Sequence, residues 1–301
     1  MAAQKIVPNV WCQGNAEEVG RFYSTVLPRA TSRVASRYPQ TGLLDFQQEM
    51  AGLPLTVEVD VDGFEIVLIN AGAEFRPNPS ISLMLNFDPL MFGDETAARA
   101  ELGAVWRALC EGGRELMPLG EYPFSKRYGW VEDRYGVSWQ LMLTDPAGEP
   151  RPFVIPSLMF GGAAQNRAAE AIDFYAATFD DAAAGGRFPY GVQTGPAAPQ
   201  ALMFGEFRIG EQWFAAMDSG VEQDFSFTCG VSLEVRCADQ AEIDRLWEAL
   251  SAEPRAEQCG WLQDRFGVSW QVVPEKMGEL MERPDAYAHL MEMKKIVIAD
   301  I

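Results

Sequence analysis

Ser138 and Gln140 stand two residues apart in "DRYGVSWQLML", and Ser269 and Gln271 repeat the arrangement in "DRFGVSWQVVP". In an extended segment, residues i and i+2 share a face. Each pair therefore presents a hydroxyl and an amide side by side, groups that donate and accept hydrogen bonds without carrying charge. Such a pair suits the orientation of a polar group on a bound molecule. It is poorly suited to nucleophilic chemistry, because a serine needs a neighbouring base and the single histidine, His289, lies in the C-terminal tail. Glu58 and Glu206 occupy matched positions and read as solvated strand residues rather than an acid–base pair. The five cysteines, Cys12, Cys110, Cys229, Cys237 and Cys259, are odd in number and form no C-x-x-C pair. That argues for a reducing cytoplasm and against a disulfide framework. Cys259 reads as a small packed residue, since its counterpart is Tyr128. No residue is assigned a catalytic role.

The two motifs belong to a repeat. "YGWVEDRYGVSWQLML" and "CGWLQDRFGVSWQVVP" share nine identities at one offset, 270 − 139 = 131 for Trp139 and Trp270. Upstream, Val19, Phe22, Tyr23 and Val26 fall at i, i+3, i+4, i+7, the apolar face of a helix, and Phe174-Tyr175 answer Phe22-Tyr23. Asn15 is its expected N-cap. A second helix carries Leu102, Val105, Trp106 and Leu109 in one copy and Ile243, Leu246, Trp247 and Leu250 in the other. Alternating segments lie between, with hairpin signals at Asp62-Gly63 and Gly210-Glu211. The segment 182–200 is rich in Gly, Pro and Ala and reads as a loop.

The linker "TDPAGEPRP" separates two domains, 1–148 and 149–301, the second with a helical tail. Each domain reads as a pair of β-α-β-β-β units. The expected class is α+β, with curved, mostly antiparallel sheets, helices on the outer face and the other face concave. Trp139 and Trp270 should face the helices, which turns Ser138, Gln140, Ser269 and Gln271 toward the clefts.

The net charge of 24 − 43 = −19 argues against nucleic acid and anionic membranes as partners. No apolar run reaches the roughly 18 residues of a membrane span, and "MAAQKIVPNV" has no signal-peptide core.

The order of elements, with "AEEVGRFY" and "DRYGVSWQL", resembles the PhnB-like branch of the vicinal oxygen chelate (glyoxalase/bleomycin-resistance/dioxygenase) superfamily, over 5–144 and again over 153–274. The resemblance implies a ligand cleft on each concave face and a divalent metal held by His, Gln or Glu. Gln140 and Gln271 match one ligand position. The first-strand position that usually holds His carries Pro8-Asn9 and Pro156-Ser157 instead, and the third position holds serines. With amides alone, no metal and no other cofactor is expected. The methyltransferase label often attached to this branch has no glycine-rich strand-to-helix loop to support it. Relatives pair such domains as dimers, so an intramolecular domain pair, or a homodimer, is implied. The expected cleft of the first domain holds Asn9, Trp11, Ser138 and Gln140. Tyr122 and Phe124 would cover it, from ten residues the second copy lacks. Ser269 and Gln271 would line the second. The reading is a protein that binds a small molecule. The alternatives are a metal-dependent lyase, isomerase or dioxygenase of this fold, or a degenerate assembly module.

Overall fold

Four strand–helix–strands units follow one another in the chain, and how they pair decides where any cleft can lie. The structure, a computed structural model, describes residues 4–301. The first unit runs β1 (Ile6–Cys12), α1 (Ala16–Val26), β2 (Ala30–Arg37), β3 (Pro54–Val61) and β4 (Phe64–Asn70). The second runs β5 (Ile81–Phe87), a one-turn α2 (Pro89–Phe92), α3 (Glu95–Cys110), β6 (Arg114–Tyr122), β7 (Ser125–Glu132) and β8 (Ser138–Leu143). The third comprises β9 (Val154–Phe160), α4 (Ala168–Thr178), β10 (Ala182–Pro189), β11 (Leu202–Ile209) and β12 (Gln212–Asp218). The fourth is shorter: β13 (Val231–Cys237), α5 (Gln240–Leu250), β14 (Trp261–Gln263) and β15 (Ser269–Pro274). A tail with α6 (Met277–Leu280) and α7 (Ala286–Glu292) ends the chain.

These strands make two open curved sheets of an α+β fold. Sheet A has the order β14-β15-β13-β1-β4-β3-β2 and sheet B the order β10-β11-β12-β9-β5-β8-β7-β6. Each sheet therefore takes one unit from each copy of the repeat, joined by antiparallel pairs: β1 with β13 in sheet A and β5 with β9 in sheet B. The apolar cores follow the copies instead. α1 and α3 share one buried cluster with β1, β3, β4, β5 and β8, while α4 and α5 share the other with β9, β11 to β13 and β15. Most of each apolar core thus lies within one copy, while strand pairing and a few side-chain contacts tie the copies to each other. Strand edges pair without regard to sequence, and the pairing leaves neither β1 nor β5 as an exposed edge.

Local chemistry explains most boundaries. The β3–β4 turn puts Asp62 at φ 56 and Gly63 at φ 87, the left-handed pair a two-residue hairpin requires. Asn15 does not cap α1 with its side chain. The N–H of Ala16 donates to Asn70 Oδ1 on β4 (2.9 Å), and Ala168 donates likewise to Asp218 Oδ1 on β12 (3.1 Å), so a neighbouring strand does the capping. The segment expected as a loop at 182–200 opens with strand β10, because an edge position against β11 demands backbone pairing and little of the side chains. The ten residues special to the first copy lengthen the β6–β7 hairpin. In the second copy the tail occupies the corresponding edge, where Cys259 N donates to Met293 O (2.8 Å) and Gly260 N to Lys294 O (2.7 Å).

Candidate functional site

The repeated motif turns out to be a buried knot of hydrogen bonds. Asp133, 4% exposed, accepts four of them. Its Oδ1 takes the backbone N–H groups of Tyr135 (2.8 Å) and Val137 (3.1 Å), and its Oδ2 takes the Tyr23 hydroxyl (2.7 Å) and the Trp139 indole N–H (2.9 Å). Asp264 repeats every bond with Phe266, Val268, Tyr175 and Trp270. Burial pushes both carboxyls above their usual range against the opposing pull of these bonds. Trp139 and Trp270 are fully buried, and Tyr23 and Tyr175 cross them edge-on at 5.1 and 5.5 Å. Because side chains alternate along a strand, fixing Trp139 and Trp270 in the core turns their neighbours in sequence to the helix-free faces.

Those faces bring the site residues together in a different grouping from the one expected. Asn9 and Trp11 on β1 face the same way as Ser269 and Gln271, since β1 pairs with β13 and β13 with β15. Ser138, Gln140, Tyr122 and Phe124 lie on sheet B, beside Ser82 and Ser157. Asn9 and Gln140 therefore sit on separate faces. The cause is the exchange of units: a cleft lined by β1 takes its other half from the second copy.

On sheet B the centre is filled by its own side chains. Tyr128 donates to Gln140 Oε1 (2.7 Å). Gln140 Nε2 donates to Ser82 Oγ (2.7 Å) and Ser157 Oγ (3.4 Å), and the Trp130 indole donates to Ser138 Oγ (2.6 Å). Burial holds the Tyr128 phenol well above its usual value. Tyr122 and Phe124 stack on each other at 5.7 Å and meet Tyr128 edge-on, which caps this end of the sheet.

Sheet A is more polar. Gln271 Nε2 donates to Ser232 Oγ (3.0 Å), and Arg236 binds Glu65 (2.6 and 2.9 Å) and Glu234 (2.8 Å). Glu58 pairs with Arg33, and burial, aided by nearby Glu65, raises its carboxyl pKa. Asn9, only 2% exposed, donates through Nδ2 to Val7 O (3.1 Å) and Glu234 Oε2 (3.4 Å), while its Oδ1 has no partner. Trp11 lies 6.2 Å edge-on from Trp261 and 5.1 Å from Phe75. The tail straps this face. Val273 on β15 packs with Leu280, Ala286 and Ile296, and Tyr287 reaches Tyr38, just beyond β2, at 6.4 Å. A recess of about 490 Å³ lies at the strand ends near Asn15, Arg76 and Arg134, and Trp11 is the site residue that lines it.

The donor set does not fit a divalent cation. The two glutamines and Asn9 supply amides, the nearest carboxylates on sheet A are held by arginines, and among the described residues no group of three His, Cys, Asp or Glu converges. Cys259 is half-buried with a thiol pKa raised by burial, which leaves it in the unreactive thiol form. No helix among the described residues is long and apolar enough to cross a membrane. What sequence reading missed was Asp133 with Tyr23. Both recur in the second copy as Asp264 and Tyr175, and that joint recurrence was the available signal.

A family model described as 3-demethylubiquinone-9 3-methyltransferase matches residues 4–142 and 152–273. Among solved structures, a PhnB protein from Bacillus cereus carrying the same methyltransferase description is 31% identical. It covers 47% of this chain and 100% of its own, with a TM-score of 0.39. A point mutant of glyoxalase I from Zea mays is 10% identical, covers 90% of this chain and 91% of its own, and has a TM-score of 0.50. That second likeness is one of fold. No protein in the curated set matches.

Proposed function

Because the chain belongs to the PhnB-like family described as 3-demethylubiquinone-9 3-methyltransferase, we propose that it holds a small, partly apolar molecule on the helix-free face of sheet A, without a catalytic metal. The observation that carries this reading is the unpartnered Oδ1 of Asn9, buried opposite Ser232, the residue that Gln271 also bonds, on a face bounded by Trp11 and Trp261. A buried carbonyl with no donor costs about 1–3 kcal/mol, which a bound N–H or O–H group recovers. The two tryptophans cover an apolar body. Neither face brings an activated base or nucleophile to the ligand, which favours holding over transforming, and the family description does not by itself supply a methyl-donor site. The five free cysteines go with a reducing, cytoplasmic setting. The hydrogen-bonded centre of sheet B favours a second role for that face, as an assembly surface between the copies.

Thermal-shift screening of metabolites tests the reading. A ligand present at 100 times its Kd adds about 2.7 kcal/mol, and Asn9→Leu or Trp11→Ala should abolish that gain. The purified protein should carry well under one equivalent of Zn, Ni, Mn or Fe. Stoichiometric metal near Gln140 or Gln271, with melting that chelator lowers, would restore the metalloenzyme reading.

A further inference from the structure

The internal repeat provides its own control, since each sheet shows what the other does with the same position. Arg236 on β13 and Asn86 on β5 are matched: Arg236 pairs with Val273 and Asn86 with Met142 in equivalent parallel ladders. Their backbone N–H groups also donate to equivalent carbonyls, of Lys5 and Phe153. In sheet A the Arg236 guanidinium fills its place and binds Glu65 and Glu234. Sheet B has Trp213 and Met84 at those two positions, and the guanidinium there is that of Arg151, which comes from the linker and not from β5.

Asn86 is shorter than Arg236, and a pocket of about 50 Å³ lies at this end of the sheet, next to the linker between the copies. Asn86, 1% exposed, lines it. Its Nδ2 donates to Pro152 O (2.9 Å) and its Oδ1 has no partner. Thr144 Oγ1, in the same lining, also has none. Asp88, Glu149 and Glu206 stand in the lining with one cation, Arg151: Asp88 accepts from the Leu90 N–H (2.8 Å), and Arg151 Nη1 donates to Glu149 (3.2 Å). Arg151 comes from the linker, grips Glu206 through Nε (3.0 Å) and Nη2 (3.1 Å), and lies 4.0 Å above the Trp213 ring. The linker is thereby latched over the pocket.

We propose that this pocket is a binding site for a small organic cation, a guanidinium or primary ammonium head on a short apolar body. Its N–H groups reach the two unpartnered oxygens of Asn86 and Thr144, which are fully covered, once Arg151 swings aside, and the net negative charge of the lining selects a cation. Met84, Met142 and Phe204 receive the apolar part once Arg151 swings aside. An engineered cavity of about 150 Å³ takes benzene, so the latched pocket accommodates the head group only. The inference stands apart from the sheet A site.

Calorimetric titration of the full chain with methylguanidine and methylammonium tests it, with N-methylurea as the uncharged shape control and sodium chloride for ionic strength. Methylguanidine should bind with Kd on the order of 1 mM and methylammonium, with fewer atoms, on the order of 10 mM, and N-methylurea at least tenfold more weakly than methylguanidine. Asn86→Arg, which installs the sheet A residue, should abolish binding, while Asn9→Leu should leave it unchanged. If Asn86→Arg does not fold, Thr144→Val should weaken binding several-fold with the melting temperature held. Absence of heat with either cation, equal binding of N-methylurea, or unaltered affinity in the Asn86 or Thr144 variant that folds would overturn the proposal.

Discussion

Asp133→Asn tests whether the motif is a structural knot. The asparagine keeps an oxygen for the N–H groups of Tyr135 and Val137 but places an NH₂ where Oδ2 received Tyr23 and Trp139. The Tyr23 hydroxyl can rotate and accept instead. The indole N–H of Trp139 can only donate, and at 0% exposure it finds no water. One orphaned buried donor costs about 1–3 kcal/mol, so the expected loss is about 2 kcal/mol. Tyr23→Phe removes one donor and orphans nothing apart from part of a carboxylate, for a loss of about 1.5 kcal/mol. The two changes should be strongly non-additive, since they share Oδ2. Urea unfolding, read by tryptophan fluorescence with the slope checked for constancy, measures both. Asp264→Asn should behave alike, because Asp264 reproduces all four bonds. A loss below about 1 kcal/mol for Asp133→Asn would refute the argument and show that the turn holds itself.

Three further outcomes follow from the same geometry. The fragment 1–148 keeps most of its side-chain core, losing Phe153 and Val154, but exposes the β1 and β5 edges that β13 and β9 cover. It should therefore self-associate in light scattering, and a monomeric fragment would contradict the exchanged sheets. Burial raises the carboxyl pKa of Asp133 and Asp264, so their protonation contributes stability that is full below about 3.9 and lost as pH rises through the raised value. The stability gap between parent and Asp133→Asn should then narrow between pH 4 and pH 8, since the orphaned indole is the same at both. A gap that widens would mean that the four hydrogen bonds outweigh burial. Deleting 276–301 uncovers Val273 and Tyr38 and should raise binding of an apolar dye to sheet A, while Tyr287→Ala opens the strap with a smaller stability loss.

The sequence disclosed those parts of the molecule in which side chains decide. Val19, Phe22 and Tyr23 announce a helix because burial selects its face. Trp139 and Gln140 point opposite ways because strands alternate. The pairing of β1 with β13 was hidden for the opposite reason: its bonds are backbone N–H to carbonyl, which any residue but proline supplies. The sheets could be counted from the pattern, yet which unit joined which could not, so Asn9 was grouped with Gln140 instead of Gln271. The buried role of Asp133 is hidden in the sequence, because a turn and a buried acceptor select the same side chain.

The same logic explains why the two faces diverged while the motif did not. Asp133 and Asp264 each satisfy two backbone and two side-chain donors within one copy, so any substitution strands a donor. Some face residues answer to a neighbour in the other copy, as Arg236 does to Glu65 and Asn9 to Glu234, and a change in one sheet leaves the other sheet untouched. Glu234 and Arg236 in sheet A against Met84 and Asn86 in sheet B are such changes: the ion pair stays complete in the first, and both charges are gone in the second. Removing the arginine alone would have left a half-buried carboxylate without its partner. With neither charge present, sheet B has a pocket beside the unpartnered oxygens of Asn86 and Thr144, the place proposed above for a cation.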